Sequence, residues 1–229
     1  AVHPHDGAEY GKTLIDHIQA YLYAKGAWRP RESTFVPALC NRIDRNTGGI
    51  VIAAKNAEAL RILNQKVKDR ELDKRYLAVI HGTMIPPQGT LRGQIFKDAV
   101  QNRVYVTAKP QPGSKTALTN YRTLQSRNGL SLVECELVTG RTHQIRAHLA
   151  SIGHPILGDF KYGDPKLNEQ IQKKYKVRSQ LLHSWKLVMP EKLAQPLDYL
   201  SGKEFIAPLP AAFKKVLKGE GLETAESNS

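Results

Sequence analysis

The sequence predicts an α+β protein built on a mixed, mainly antiparallel β-sheet with flanking helices. Three observations point there. Strand-like segments follow one another through the middle of the chain, from Arg75 to Val138, whereas helical periodicity is confined to the start, to the stretch after Gly140 and to the end. Asn128-Gly129 separates two of those strands and marks a two-residue hairpin, which joins antiparallel neighbours. The 229 residues are 41% hydrophobic, enough for a sizeable core, and no internal repeat or low-complexity linker interrupts them. Residues 1–218 therefore read as one continuous domain, and 219–229 (GEGLETAESNS) as an acidic, disordered tail.

The elements follow in order. Leu14, Ile15, Ile18 and Leu22 recur at helical spacing, so a helix is predicted from Thr13 to about Lys25, closed by Gly26. A polar loop, Asn41 to Gly49, precedes the short apolar run Ile50 to Ala54, which has strand character. Asn56 then caps a helix with Leu60, Leu63 and Val67 along one face. Arg75 to Ile80, Arg103 to Thr107, Ala117 to Leu124 and Leu132 to Val138 read as strands. After Thr139-Gly140 the period changes. Thr142 is placed to cap a helix in which Ile145, Leu149 and Ile152 line up, with Gly153 ending it and Pro155 preventing its resumption. Residues 161–178 form a polar, basic stretch. Leu181-Leu182 and Leu187-Val188 suggest late strands, and Ala211 to Leu217 a last helix.

Charge narrows the partners. Lys and Arg number 34 against 21 Asp and Glu, a net +13, and a surface this basic favours a polyanion such as nucleic acid, since each neutralised phosphate releases counterions. Basic charge kept merely for solubility is the plainer alternative. Cys40 and Cys135 are too few to staple a chain of this length, and a reducing, cytoplasmic setting is expected. No apolar run approaches the ~18 residues of a membrane span, so no membrane partner is expected.

The chemistry begins with exclusions. Neither phosphate-binding glycine signature is present, no C-x-x-C or H-E-x-x-H occurs, and His143 and His148 stand about 140° apart on a helix, poorly placed to share an ion. Neither a metal nor a cofactor is expected. Two segments remain. In Arg42-Ile43-Asp44-Arg45-Asn46-Thr47-Gly48-Gly49, a carboxylate between two arginines suits a nucleophile or electrostatic stabiliser, although a surface turn shaped by Thr47 and the glycines explains the same residues. In Gly140-Arg141-Thr142-His143-Gln144-Ile145-Arg146, His143 and Arg146 fall about 60° apart on one flank of a helix and can face a groove together. A basic, solvated helix face is the alternative there.

Taken together, these segments resemble the RluA-type family of RNA pseudouridine synthases. The family motif R-[LI]-D-x-x-T-x-G is matched by Arg42 to Gly49, K-x-Y by Lys74-Arg75-Tyr76, and G-R-[ST]-H-Q-[IL]-R by Gly140 to Arg146. The family-like Gly153 to Asp159 and Leu181-Leu182-His183 follow, and the likeness runs from about Ala1 to about Pro208. It implies a sheet bent around a central cleft and the isomerisation of specific uridines to pseudouridine in structured RNA, without cofactor or metal. Ribosomal RNA of the large subunit (23S) is the expected substrate, and transfer RNA the alternative. Asp44 is then the catalytic carboxylate, Tyr76 the platform for the flipped uracil, and Arg146 the partner that orients Asp44. Arg42 fills the gap left by the extruded nucleotide, and Arg141, His143 and Gln144 contribute to substrate binding.

Some residues depart from the family pattern. Asn41 stands where His is common and Gly48 where Ser is common, and the strand with a K-P-x-G segment usually found before the equivalent of Val2-His3-Pro4 does not precede it. The first strand of the domain is thus expected to be missing. A non-catalytic RNA-binding protein using the same cleft is the rival reading, and a metal-dependent nuclease lacks clustered carboxylates. A monomer is expected, since one cleft engaging one RNA needs no symmetry partner.

Overall fold

The computed structural model describes residues 13–223, so the region around Val2-Pro4 and the end of the acidic tail lie outside the described residues. Where the sequence reads as one continuous domain, the chain forms two compact units. The first takes residues up to 45, 51–72 and 188–204; the second takes 46–50, 73–187 and 205 onward.

In the first unit, α1 (Leu14–Ala24) begins at Thr13, whose hydroxyl accepts from the Asp16 amide while the Asp16 carboxylate accepts from the Thr13 amide. This reciprocal cap satisfies two donors that a helix start leaves orphaned. The apolar run expected as a strand over 50–54 narrows to β3 (Ala53–Ala54), which pairs antiparallel with β1 (Ala38–Leu39). Beyond that short ribbon the Asn41 side chain accepts from the Ile52 amide at 2.7 Å, so the chain is held where the Arg42–Asp44 segment begins. α2 (Ala57–Lys68) is capped by Asn56 as expected. Its buried face is Ala59, Ile62 and Leu63, rotated from the predicted Leu60-Leu63-Val67 stripe.

The second unit is built on the sheet, with order β10-β9-β4-β8-β7-β5-β6. Its strands are β4 (Asp73–His81), β5 (Gln88–Asp98), β6 (Arg103–Thr107), β7 (Lys115–Arg127), β8 (Leu130–Leu137), β9 (Leu182–Val188) and β10 (Glu204–Ile206). The pairs β4–β8, β8–β7, β7–β5 and β5–β6 are antiparallel, whereas the two-residue β2 (Gly48–Gly49) lies parallel to β9, which makes the sheet mixed. The β7–β8 turn uses Asn128 and Gly129 at positive φ, as a hairpin of this type requires. In β4, Tyr76 to Ile80 are all buried, so this strand is covered on both faces.

Over the β5–β6–β7 end lies α3 (Gln144–Ser151), packing Ala147 and Ala150 against Ile95, Val104, Val106, Ala117 and Tyr162. α4 (Pro165–Tyr175) occupies much of the stretch read only as polar and basic; its Asp164 cap and Pro165 at the first turn are sound helix starters. α5 (Ala211–Glu220) runs three residues past the predicted end at Leu217. The Glu220 carboxylate accepts from Lys174 and Tyr175, and Leu222 is fully buried, so the packed chain extends beyond Lys218 into the segment expected as tail.

His148 sits on the inner side of α3 and is 2% exposed, with Nδ1 2.9 Å from Thr119 Oγ1. Burial pushes its pKa down from 6.5 to about 4. Between those values the unfolded chain binds the extra proton, so this contribution is complete above pH 6.5 and is lost as pH falls toward 4. We expect urea denaturation to show the stability of the wild type falling over that window by up to about 3 kcal/mol more than that of His148→Gln. An identical pH slope for both proteins would remove His148 from the account.

Candidate active site

The first motif segment is anchored just after its carboxylate. Asp44 is half-buried and Arg42 exposed in the first unit, and the chain enters the second unit at Asn46. There Thr47 is buried and its hydroxyl accepts from Gln180 Nε2 at 3.1 Å. β2 then pairs with His183 and Ser184, and the Ile50 amide donates to the Ser184 carbonyl. Gly49 is required at this point: φ is +109°, and a Cβ there would lie 2.0 Å from the Ser184 oxygen. The glycine of the motif thus serves a close backbone approach rather than a loose turn.

Tyr76 is carried by β4, opposite Cys135 of β8, and is 5% exposed. Lys74 precedes it on the same face of the strand, and burial lowers its pKa. Cys135 is wholly buried and its thiol is pushed up to about 12 by desolvation first, with Glu134 adding to the shift. Burial likewise raises Cys40 to about 11, so neither thiol offers a nucleophile near neutral pH.

The third motif forms the tight entry to α3, and it differs from the sequence reading. The residue at the cap is His143, in the left-handed conformation with φ 52°, and it makes no side-chain cap bond, so Thr142 does not cap the helix. Gln144 takes over the polar work of the turn. Its Oε1 accepts from Thr139 Oγ1 (2.7 Å) and the Arg141 amide (3.1 Å), while its Nε2 donates to the Leu118 carbonyl (2.8 Å) and Thr119 Oγ1 (2.9 Å). All four of its hydrogen-bonding positions are engaged by the protein, and it is 2% exposed. Expected as a substrate-binding residue, Gln144 fastens the motif to β7 instead. Arg141 is half-buried, with Nε donating to the Thr116 carbonyl.

Arg146 is 7% exposed, and a guanidinium cannot shed its charge on burial. Its Nε and Nη2 donate to the two oxygens of Asp159, at 2.7 and 3.0 Å, and Asp159 is 0% exposed. Asp159 Oδ1 also accepts from the amides of Lys161 and Tyr162, and its carbonyl accepts from Gly163 N and Asn168 Nδ2. Gly163 allows this turn to close, because a Cβ there would stand 2.5 Å from the Asp159 carbonyl oxygen. The segment before the turn is itself clamped to the central strand, through Leu157 N to Val79 O and His81 N to Pro155 O.

His143 and Arg146, read from spacing as neighbours on one flank, are brought together by Tyr162. His143 Nδ1 lies 2.9 Å from Tyr162 Oη, and the Arg146 guanidinium carbon lies 5.1 Å from the centre of its ring. Tyr162 was not singled out by the sequence. The signal present was an aromatic residue inside the turn Gly158-Asp159-Phe160-Lys161-Tyr162-Gly163, at the edge of the family-like run. The basic stretch 161–178 is partly spent on internal pairs: Lys173 with Glu169, Lys174 with Glu220, and Lys161 with the Asn102 carbonyl.

Comparison with known proteins follows from this geometry. Residues 2–151 match the family model described as RNA pseudouridylate synthase. A Bacillus subtilis protein, the uncharacterized RNA pseudouridine synthase YjbO, is 34% identical over 221 residues, which cover 94% of this chain and 67% of the relative. The ribosomal large subunit pseudouridine synthase D of Borreliella burgdorferi is 33% identical over 182 residues, 80% of this chain and 52% of the relative. Among solved structures, human RNA pseudouridylate synthase domain containing 4 superposes with a TM-score of 0.74 at 23% identity, over 93% of this chain and 85% of its own, a likeness of fold. The chain spans about half to two-thirds of the length of the curated relatives it matches.

The ion pair makes a direct prediction. Asp159→Ala removes a fully buried, two-point partner of the Arg146 guanidinium, and we expect it to lower the unfolding free energy by about 3–5 kcal/mol in urea denaturation. A loss below about 1 kcal/mol, the level of a surface pair, would show that the pair contributes little.

Proposed function

The chain belongs to the RNA pseudouridylate synthase family, in its RluA-type branch, and from that premise we propose that it isomerises specific uridines to pseudouridine in structured RNA, with ribosomal RNA of the large subunit as substrate. The observation that carries this is the family match over residues 2–151, which takes in all three motif segments, 42–49, 74–76 and 140–146, in order. The relatives named as ribosomal large subunit synthases support the choice of substrate class. The net charge of +13 suits a phosphate-rich partner.

The chemistry asks little beyond this residue set. A stacked or paired uridine must first leave its stack, at a cost of a few kcal/mol. Tyr76, 5% exposed, lends its ring to the flipped base once that base displaces what covers it, and stacking then recovers ~1–3 kcal/mol, while the exposed Arg42 has the reach and charge to occupy the vacated space. Asp44 is the carboxylate that adds to the sugar or the base and leaves again. The C1′–N1 bond breaks, the uracil turns, and a C1′–C5 bond forms, with the C5 proton lost and N1 gaining one. Because the base is retained and no water is added, the second carboxyl that glycosidases use to protonate a leaving group or activate water is not required. Arg146 supplies a permanent positive charge for this anionic chemistry, and Arg141 and His143 approach the RNA beside it.

Tritium release from unmodified ribosomal and transfer RNA carrying 5-³H-uridine reads the new C5 bond directly. Wild-type protein is expected to release tritium from ribosomal RNA, and Asp44→Asn to lose at least about 10³-fold in rate. Release from transfer RNA alone would change the substrate. RNA binding without release from either pool would replace the isomerase with an RNA-binding protein.

A further inference from the structure

Two groups meet the Tyr162 hydroxyl, and their hydrogen-bond bookkeeping has one complete solution. The Val104 amide of β6 donates to Tyr162 Oη at 2.8 Å. A phenol has a single proton and can accept elsewhere, so with that donor in place its own O–H must find an acceptor. His143 Nδ1 stands 2.9 Å away, the two rings edge to face with centres 5.6 Å apart. Were Nδ1 protonated instead, it and the Val104 amide would both donate to Oη and leave the buried phenol proton unused.

We propose that Tyr162 is a positioning residue for the proposed reaction: its hydroxyl donates to Nδ1 of His143 and holds that imidazole in the Nε2–H form, while its ring carries the Arg146 guanidinium. The proposal rests on the activity inferred above for the role it gives Arg146 and His143, but its structural half stands apart from turnover. Tyr162 is 9% exposed, and its pKa is raised by burial first, then lowered in part by the Val104 amide and by Arg146, with Asp159 raising it and Arg103 lowering it again. It therefore remains a proton donor at neutral pH.

The arrangement fixes two motif side chains from one point. Arg146 is gripped at one edge by Asp159 and rests against the ring, while the Arg103 guanidinium carbon lies 5.0 Å from the same ring centre. Arg103 is thereby tied to the site rather than left as a loose surface cation. The anchor is itself rigid, since Tyr162 N donates to Asp159 Oδ1 and the ring packs in the core beneath α3. His143 leaves the helix geometry at φ 52°, so helical regularity does not set its ring direction, and the Tyr162 contact helps to fix it.

The test uses the full chain labelled with ¹⁵N-histidine, with His143→Asn to assign the signal. Wild-type His143 at pH 7 is expected to show an unprotonated Nδ1 and a protonated Nε2, and Tyr162→Phe to lose that signature. In tritium release, Tyr162→Phe should lower kcat about tenfold to a hundredfold while KM for the RNA stays within about twofold, and Tyr162→Leu, which also removes the ring, should fall further. A wild-type proton on Nδ1 overturns the hydroxyl's role even if Tyr162→Leu does not fold. Unchanged kcat in Tyr162→Phe, or a loss confined to KM, overturns the positioning. If the wild type converts no uridine, the inferred activity fails, and the imidazole spectrum still decides what the hydroxyl does.

Discussion

A guanidinium cannot lose its charge, and Arg146 is buried; much of the second unit is arranged around that constraint. An unpaired charge in the interior is worth several kcal/mol against folding, so a carboxylate must meet it in good geometry. Asp159 does, in a two-point pair, and Asp159 in turn is held by two backbone amides. The Gly158–Gly163 turn, the clamp of Leu157 on β4 and Asn168 in the first turn of α4, which donates to the Asp159 carbonyl, all serve the placement of that one carboxylate.

The central strand makes this placement possible. β4 carries the Tyr76 motif residue and, on the same residues' backbone, receives both the Pro155–Leu157 segment and Leu181. One strand therefore sets the positions of the aromatic residue, the turn that grips Arg146 and the approach to β9. β9 next pairs with Gly48-Gly49, the end of the carboxylate motif. Motifs separated by a hundred residues are thus each referred to the same sheet, and loops with few internal contacts acquire a defined position.

Sequence and structure part company at particular residues for particular reasons. β5 is not legible in the sequence because Gly89 and Gly93 depress strand propensity, yet the packing is close at both: a Cβ at Gly93 would stand 2.6 Å from Val106, and one at Gly89 3.1 Å from the Tyr121 hydroxyl. Thr142 looks like a cap by type, but the chain turns at His143 in a left-handed conformation, and Gln144 satisfies the turn from inside the helix. Gln144 enters as a substrate-binding residue only through the family resemblance; two of its four bonds, to Leu118 and Thr119, are tertiary, with partners 26 and 25 residues away. The stretch 161–178 was read for charge, which hid the helix signal of Asp164-Pro165.

What the sequence determined by itself is what depends on local order: the α+β class, the Asn56 cap, the Asn128-Gly129 hairpin and the identity of the three motifs, since periodicity, capping and spacing are properties of neighbouring residues. Only the tertiary structure decided which of those polar side chains are engaged within the protein, and with what. Arg146 with Asp159, Gln144 with Thr119, and His143 with Tyr162 are pairings across strands and turns. A buried charge or amide takes whichever partner the packed backbone brings within about 3 Å, and no local pattern specifies that choice.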